Sequence, residues 1–159
     1  MANLIYLKLT GKNQGLISKG CSTRESIGNK YQESHKDEIL IYSFDHDIFR
    51  LQNVSHSPVT ITKPVDKSSP LLGVCISDNE LVECDFTFYR TSESGGQEKF
   101  YTIKLTKASI KNVSLHFPNS LTHEDAQPYE SVTIDYESIT WSHVIAGTSG
   151  YSIKSDNNI

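Results

Sequence analysis

In the run Asp85-Phe86-Thr87-Phe88-Tyr89-Arg90 the two phenylalanines fall on one side of an extended chain, and Asp85 and Thr87 on the other. Tyr101, Ile103 and Leu105 alternate with Thr102, Lys104 and Thr106 in the same way. A period of two belongs to half-buried β-strands. The polar stretch between these runs holds Gly95-Gly96, which tolerate positive φ, so the two strands are predicted to form a hairpin with a slightly long loop. Further strands are predicted over 3–9, 14–18, 38–48, 59–62, 111–117 and 131–141, about eight in all. Composition agrees: 8 Val, 15 Ile, 12 Thr and 15 aromatic residues stand against 4 Ala, which excludes a helical bundle or coiled coil.

Some segments carry more detail. Val132, Ile134 and Tyr136 share one parity, whereas Ile139 and Trp141 share the other, so a bulge or bend is predicted near Glu137-Ser138 to keep all five on one face. In 38–48 both parities are apolar, with Ile39 and Ile41 on one side and Leu40, Tyr42 and Phe44 on the other, so this strand is expected to be covered on both faces. Val113, Leu115 and Phe117 share a face of 111–117, read as a further hairpin partner after 101–105. One helix is predicted, either with Ser69 as its cap and Pro70 in its first position or with Asp66 and the two serines capping an earlier turn that Pro70 distorts, and with Leu71, Leu72, Cys75 or Ile76 packed inward. The stretches 19–37, 50–58 and 119–129 lack periodicity and read as loops, and 144–159 reads as a partly flexible tail.

At 159 residues the chain fits one domain with one core. Its net charge of −4 offers no general attraction to nucleic acid or anionic lipid. No apolar run is long enough to span a bilayer, and the opening residues lack the basic flank and apolar stretch of a secretory signal, so synthesis as a soluble cytoplasmic chain is expected. Cys21, Cys75 and Cys84 are odd in number and widely spaced, which predicts reduced thiols, packed as small hydrophobes or left at the surface, although a Cys75–Cys84 bridge is geometrically possible. The histidines, Asp45-His46-Asp47 included, lack the spacing of a metal site. There is no Gly-x-Ser-x-Gly elbow, and Gly147-Thr148-Ser149-Gly150 lacks the lysine of a phosphate loop, so neither catalysis nor a cofactor or metal is predicted.

The run Lys63-Pro64-Val65-Asp66-Lys67-Ser68-Ser69-Pro70-Leu71-Leu72 resembles the signature of the haemolysin-coregulated protein family, Hcp, of the bacterial type VI secretion system. Gly15 to Gly20, Ile39 to His46, Phe100 to Leu105 and Val132 to Trp141 follow the family's order, so the resemblance spans 2 to about 142. It implies a mainly β fold: a partly closed antiparallel β-barrel of two sheets with one short α-helix over 1–142, and a C-terminal extension over 143–159. It also implies a homo-hexameric ring stacked into a tube, a valine-glycine-repeat spike, a contractile sheath, effector proteins in the lumen, and export without a signal peptide. Gly20-Cys21-Ser22 departs from the Gly-Glu-Ser of many members, and the segment that follows it is long.

Within that frame Leu51 and Val54, in a region that reaches a neighbouring subunit or the adjacent ring in the family, are candidate protomer contacts, with Tyr42 and Phe44 beside them. Asp85, Thr87, Lys104 and Thr106 are candidate lumen residues, since a wet bore needs side chains that water solvates. Ser69, Pro70, Leu71 and Leu72 form the structural helix. The competing reading is a monomeric β-barrel that binds a small molecule.

Overall fold

The computed structural model describes residues 3–123 and 125–154. Twelve strands follow in order: β1 (Ile5–Gly11), β2 (Gly15–Leu16), β3 (Ile39–Ile41), β4 (Ser43–Asp45), β5 (Ile48–Arg50), β6 (Val54–His56), β7 (Val59–Lys63), β8 (Val82–Thr91), β9 (Gln97–His116), β10 (Tyr129–Asp135), β11 (Ser138–His143) and β12 (Thr148–Ile153). A one-turn helix α1 (Arg24–Ile27), the main helix α2 (Ser69–Ser77) and two single-turn 3-10 helices complete the regular structure of the described residues. Every strand pair is antiparallel.

Two sheets wrap one core. The first holds β2 and β3 on one side of β1, then β8, the first half of β9, β11 and β12. The second holds the last part of β9, then β10, β7 and β4. Residues 101–105 and 111–117, read from sequence as separate strands, are one strand, β9, of 20 residues. Lys107 explains the continuity: at φ 48 it is an extra residue opposite β8, where Val82 pairs with Ala108 but Cys84 pairs with Leu105. A bulge of this kind bends a strand without ending it. A second register shift lies opposite Thr133 and Ile134, where Lys111 is the extra residue.

The other seam corrects a second expectation. Residues 38–48 hold two short strands, β3 and β4, and the first residue of β5, and Tyr42 marks the place where the chain leaves β1 and turns onto β7. The Tyr42 amide donates to the carbonyl of Thr62 at 2.8 Å. Apolar residues on both parities therefore reflect a change of sheet. Because Tyr42 lies outside both strands, the barrel is only partly closed.

The bend predicted near Glu137-Ser138 separates β10 from β11 at Tyr136 and Glu137, and Val132, Ile134, Tyr136, Ile139 and Trp141 all reach the core. The extension read as a partly flexible tail supplies β12, which covers the outer edge of β11 after a turn at Gly147, φ 76. Residues 155–159 lie outside the described residues. The region 50–58, read as a loop, contains part of a hairpin, β5–β6, with Phe49 opposite Ser55.

The interior is filled by Leu7, Leu9, Ile61, Phe86, Leu105, Ile134 and Ile139, closed at one side by Leu72 and Cys75 of α2. Helix α2 begins at Ser69, with Ser68 as the preceding cap residue and Pro70 within the first turn, one step from the predicted arrangement with Ser69 as cap. Asp66 Oδ1 accepts the Ser68 amide at 2.9 Å, while Ser69 Oγ accepts the Asp66 amide at 3.0 Å and donates to Glu130 Oε1 at 2.7 Å. Ile76, a candidate for the packed face, is 38% exposed. Cys21, Cys75 and Cys84 are buried free thiols.

Candidate functional site

Two surfaces carry features that the core does not require. The first is the hairpin β5–β6, which pairs with no strand of either barrel sheet among the described residues. Leu51 at its turn is 86% exposed and Phe49 is 45% exposed, while Val54 is half-buried. Each such side chain left in water forgoes about 1.5–3 kcal/mol that full burial would supply. Tyr42 is also exposed in part, and its partial burial, then the charge of Asp66, raise its pKa. Phe44 lies differently: its ring packs edge-on at 4.9 Å from Phe86 and 5.2 Å from Phe88, so much of it belongs to the protomer's own core.

The base of the hairpin is polar. His46 Nε2 lies 2.9 Å from the Tyr136 hydroxyl, and His56 Nδ1 lies 2.7 Å from the same oxygen. Burial is the main cause that lowers the pKa of both imidazoles; His56 adds to it for His46, and Lys154 for His56. The sequence does not reveal this cluster. Asp45-His46-Asp47 looks like a polar strand end, and its partner Tyr136 arrives 90 residues later.

The second surface is the outer face of the first sheet. Register puts Asp85 between Lys8 of β1 and Lys104 of β9, Thr87 beside Thr102, and Thr106 beside Ser138. Thr140 and Ser142 continue the face along β11, and Lys99 and Glu38 stand at its edge in a shallow trough. The four candidate lumen residues thus share one hydroxyl-rich face, with Lys104 exposed and the others half-buried.

Residues 6–143 match the family described as "Type VI secretion system effector, Hcp". The chain belongs to the Hcp family. It is 37% identical to the "Major exported protein" of Pseudomonas aeruginosa, over 94% of each chain. Among solved structures, one titled "Crystal structure of Hcp protein" is 34% identical with a TM-score of 0.90, covering 96% of this chain and 98% of the other. The "Secreted protein Hcp3" of Pseudomonas aeruginosa is 37% identical with a TM-score of 0.87 at the same coverage, 96% and 98%. Hcp membership puts the chain among type VI secretion tube proteins, a structural and secreted family and not a family of enzymes.

The long segment of this Hcp chain after Gly20 is folded against the barrel. His35 stacks on Tyr6 with ring centres 4.0 Å apart, and Tyr89 meets both rings edge-on. Burial and the Glu38 carboxylate push the Tyr6 hydroxyl up to about 12. Gly20 adopts φ 71, a left-handed conformation that glycine adopts without strain. Ser22 Oγ donates to the Glu38 carbonyl at 2.5 Å, and the Gly20 amide donates to Asp37 Oδ1 at 3.0 Å. In the departure from the family motif, Cys21 fills a fully buried site.

Proposed function

We propose that this chain assembles with copies of itself into a hexameric ring, that rings stack into the inner tube of a type VI secretion system, and that the outer face of the first sheet lines the lumen. The observation that carries the reading is the hairpin β5–β6, whose Phe49 and Leu51 are exposed while the barrel core is complete without them. Apolar side chains clustered on a projecting element favour a protein contact. Repetition of one contact that closes on itself yields a ring. A polar inner wall leaves room for hydrated cargo, so effectors would travel in the bore. The spike protein and contractile sheath would meet the two ends and the outside of the tube, and export would follow contraction.

A small-molecule-binding barrel has less to support it, since Leu7, Leu9, Phe86 and Leu105 occupy the barrel interior. Light scattering after size exclusion tests the assembly. A hexameric mass is expected for the native chain, and a folded monomer for Leu51→Asp combined with Val54→Asp. A native mass near one subunit at micromolar concentration would overturn the ring, and unchanged hexamers in the double variant would overturn the role of the hairpin.

A further inference from the structure

Both ends of the hairpin β5–β6 are fastened to one phenol. His46 precedes β5 by two residues and His56 ends β6, and both rings bond the Tyr136 hydroxyl, at 2.9 and 2.7 Å. His56 Nε2 continues the contact to Ser152 Oγ of β12 at 3.0 Å. Tyr136 sits in the bend between β10 and β11, and both it and His56 are buried. The cluster thus joins the hairpin, the strand bend and the C-terminal strand.

Counting donors shows how it works. A tyrosine hydroxyl has one proton, and a neutral imidazole has one donor and one acceptor nitrogen. Two arrangements satisfy the whole chain: either His46 Nε2–H donates to the Tyr136 oxygen, Tyr136 O–H to His56 Nδ1 and His56 Nε2–H to Ser152 Oγ, or every bond runs the other way, with Ser152 donating to His56 Nε2, His56 Nδ1–H to Tyr136 and Tyr136 to His46 Nε2. One added proton is absorbed by a change of tautomer, because one ring can still accept from Tyr136. With both rings charged, both ring nitrogens donate to the Tyr136 oxygen and its own proton has no acceptor in the cluster, a costly state for a buried polar group.

We propose that His46, Tyr136, His56 and Ser152 form a proton-sensitive latch that holds the hairpin β5–β6 to the barrel at neutral pH and releases it in mild acid. The charged groups around it act in both directions. Lys154 faces His56 from the end of β12 and is paired with Asp135 of β10, and two imidazolium rings on one oxygen would repel each other. Asp47, next to His46 and at the hairpin root, is the acid that favours a charged His46. Burial holds both rings below the ordinary histidine range, so the latch is set at neutral pH and opens as acid overcomes it. Release would also withdraw Phe49 and Leu51 from a neighbouring copy, a consequence that rests on the ring reading.

Amide hydrogen exchange of the full chain at about pH 7.5 and about pH 5, corrected for intrinsic rates and with the oligomeric mass recorded in each sample, tests the latch. The amides of 48–56 are expected to lose protection about tenfold in acid, the scale of one lost buried hydrogen bond, while β8 and β9 keep theirs. His56→Gln is expected to remove the acid step, and Tyr136→Phe to leave the hairpin poorly protected at both pH values. Equal hairpin protection of the native chain at both values would overturn the proposal. So would an undiminished acid step in His56→Gln, or an acid step shared equally by β8 and β9. Should Tyr136→Phe fail to fold, His56→Gln alone decides. A monomeric native chain at neutral pH would count against the ring, and the exchange of its hairpin amides would still decide the latch.

Discussion

Lys63 Nζ stands 2.7 Å from Glu130 Oε1, and the same ammonium lies 3.0 Å from Asp66 Oδ1, with all three side chains almost wholly out of water. The contact ties β7 to β10 and to the entry of α2, because Glu130 also accepts from Ser69 and Asp66 accepts from Ser68. Losing one member of a buried ion pair strands the remaining charge, at a cost of about 3–5 kcal/mol. Lys63→Met is therefore expected to lose stability on that scale in urea unfolding at neutral pH. A loss under about 1 kcal/mol would mean that the two carboxylates relax to water or bind a proton without strain.

Leu72 and Ile76 stand one turn apart on α2 and differ in burial. Leu72 is 2% exposed and Ile76, one turn nearer the helix end, is 38% exposed. Leu72→Ala is expected to cost about 2–5 kcal/mol, and Ile76→Ala well under half of that. Denaturant unfolding of both variants, at a concentration where the chain is monomeric, measures the contrast. Equal losses would mean that Ile76 is buried in solution, by a partner or by a shift of the helix.

These elements also show what sequence can and cannot reveal. Alternation along β8 and around residues 101–105 is a local property, so those strands and their hairpin are legible in the chain. The parity switch between Tyr136 and Ile139 is local too, and it marks the bend between β10 and β11. Lys107 carries no such signal, because nothing in its chemistry distinguishes a bulge at φ 48 from a loop that ends one strand and starts another. Tyr42 misleads for a related reason: apolar residues on both parities look alike whether a strand is sandwiched or crosses between sheets. The polar face with Asp85, Thr87, Lys104 and Thr106 is legible from parity alone. The hairpin latch is not, since its members are brought together from residues 46, 56, 136 and 152 by the fold.

The thiols give a pH prediction with a definite sign. Burial is the main force that pushes Cys21 up to about 12 and Cys75 up to about 11 from an ordinary 9.0, and it pushes Cys84 up as well. A raised folded pKa for an acid means that the folded state prefers the neutral thiol. The associated stability is fully present below about pH 9 and is lost as pH climbs towards 11 and 12. Thermal midpoints are expected to hold up to about pH 9 and to fall above it. At about pH 8 a maleimide is expected to leave the native chain unmodified and to label three thiols after unfolding. Rapid labelling of the native chain at that pH would show that one of these sites opens readily.

That unreactive background makes the location of the polar face testable without any cargo. If the outer face of the first sheet lines a bore, a thiol placed at Lys104, which is exposed and pairs with Asp85 across the strands, points into a confined, wet space. The substitution Lys104→Cys replaces a solvated side chain and is expected to change stability by about 0.5 kcal/mol or less. In the assembled ring a small maleimide should reach it, because the wall is hydrated, whereas a maleimide on a polymer wider than the bore should react much more slowly. Adding Leu51→Asp and Val54→Asp, to hold the chain as a monomer, should abolish the difference between the two reagents. The comparison is internal, since the thiol, its neighbours on β8 and β9 and its intrinsic reactivity stay the same in both states. Equal polymer labelling in ring and monomer would put Lys104 on the outside of the assembly, and with it the face formed by Asp85, Thr87 and Thr106.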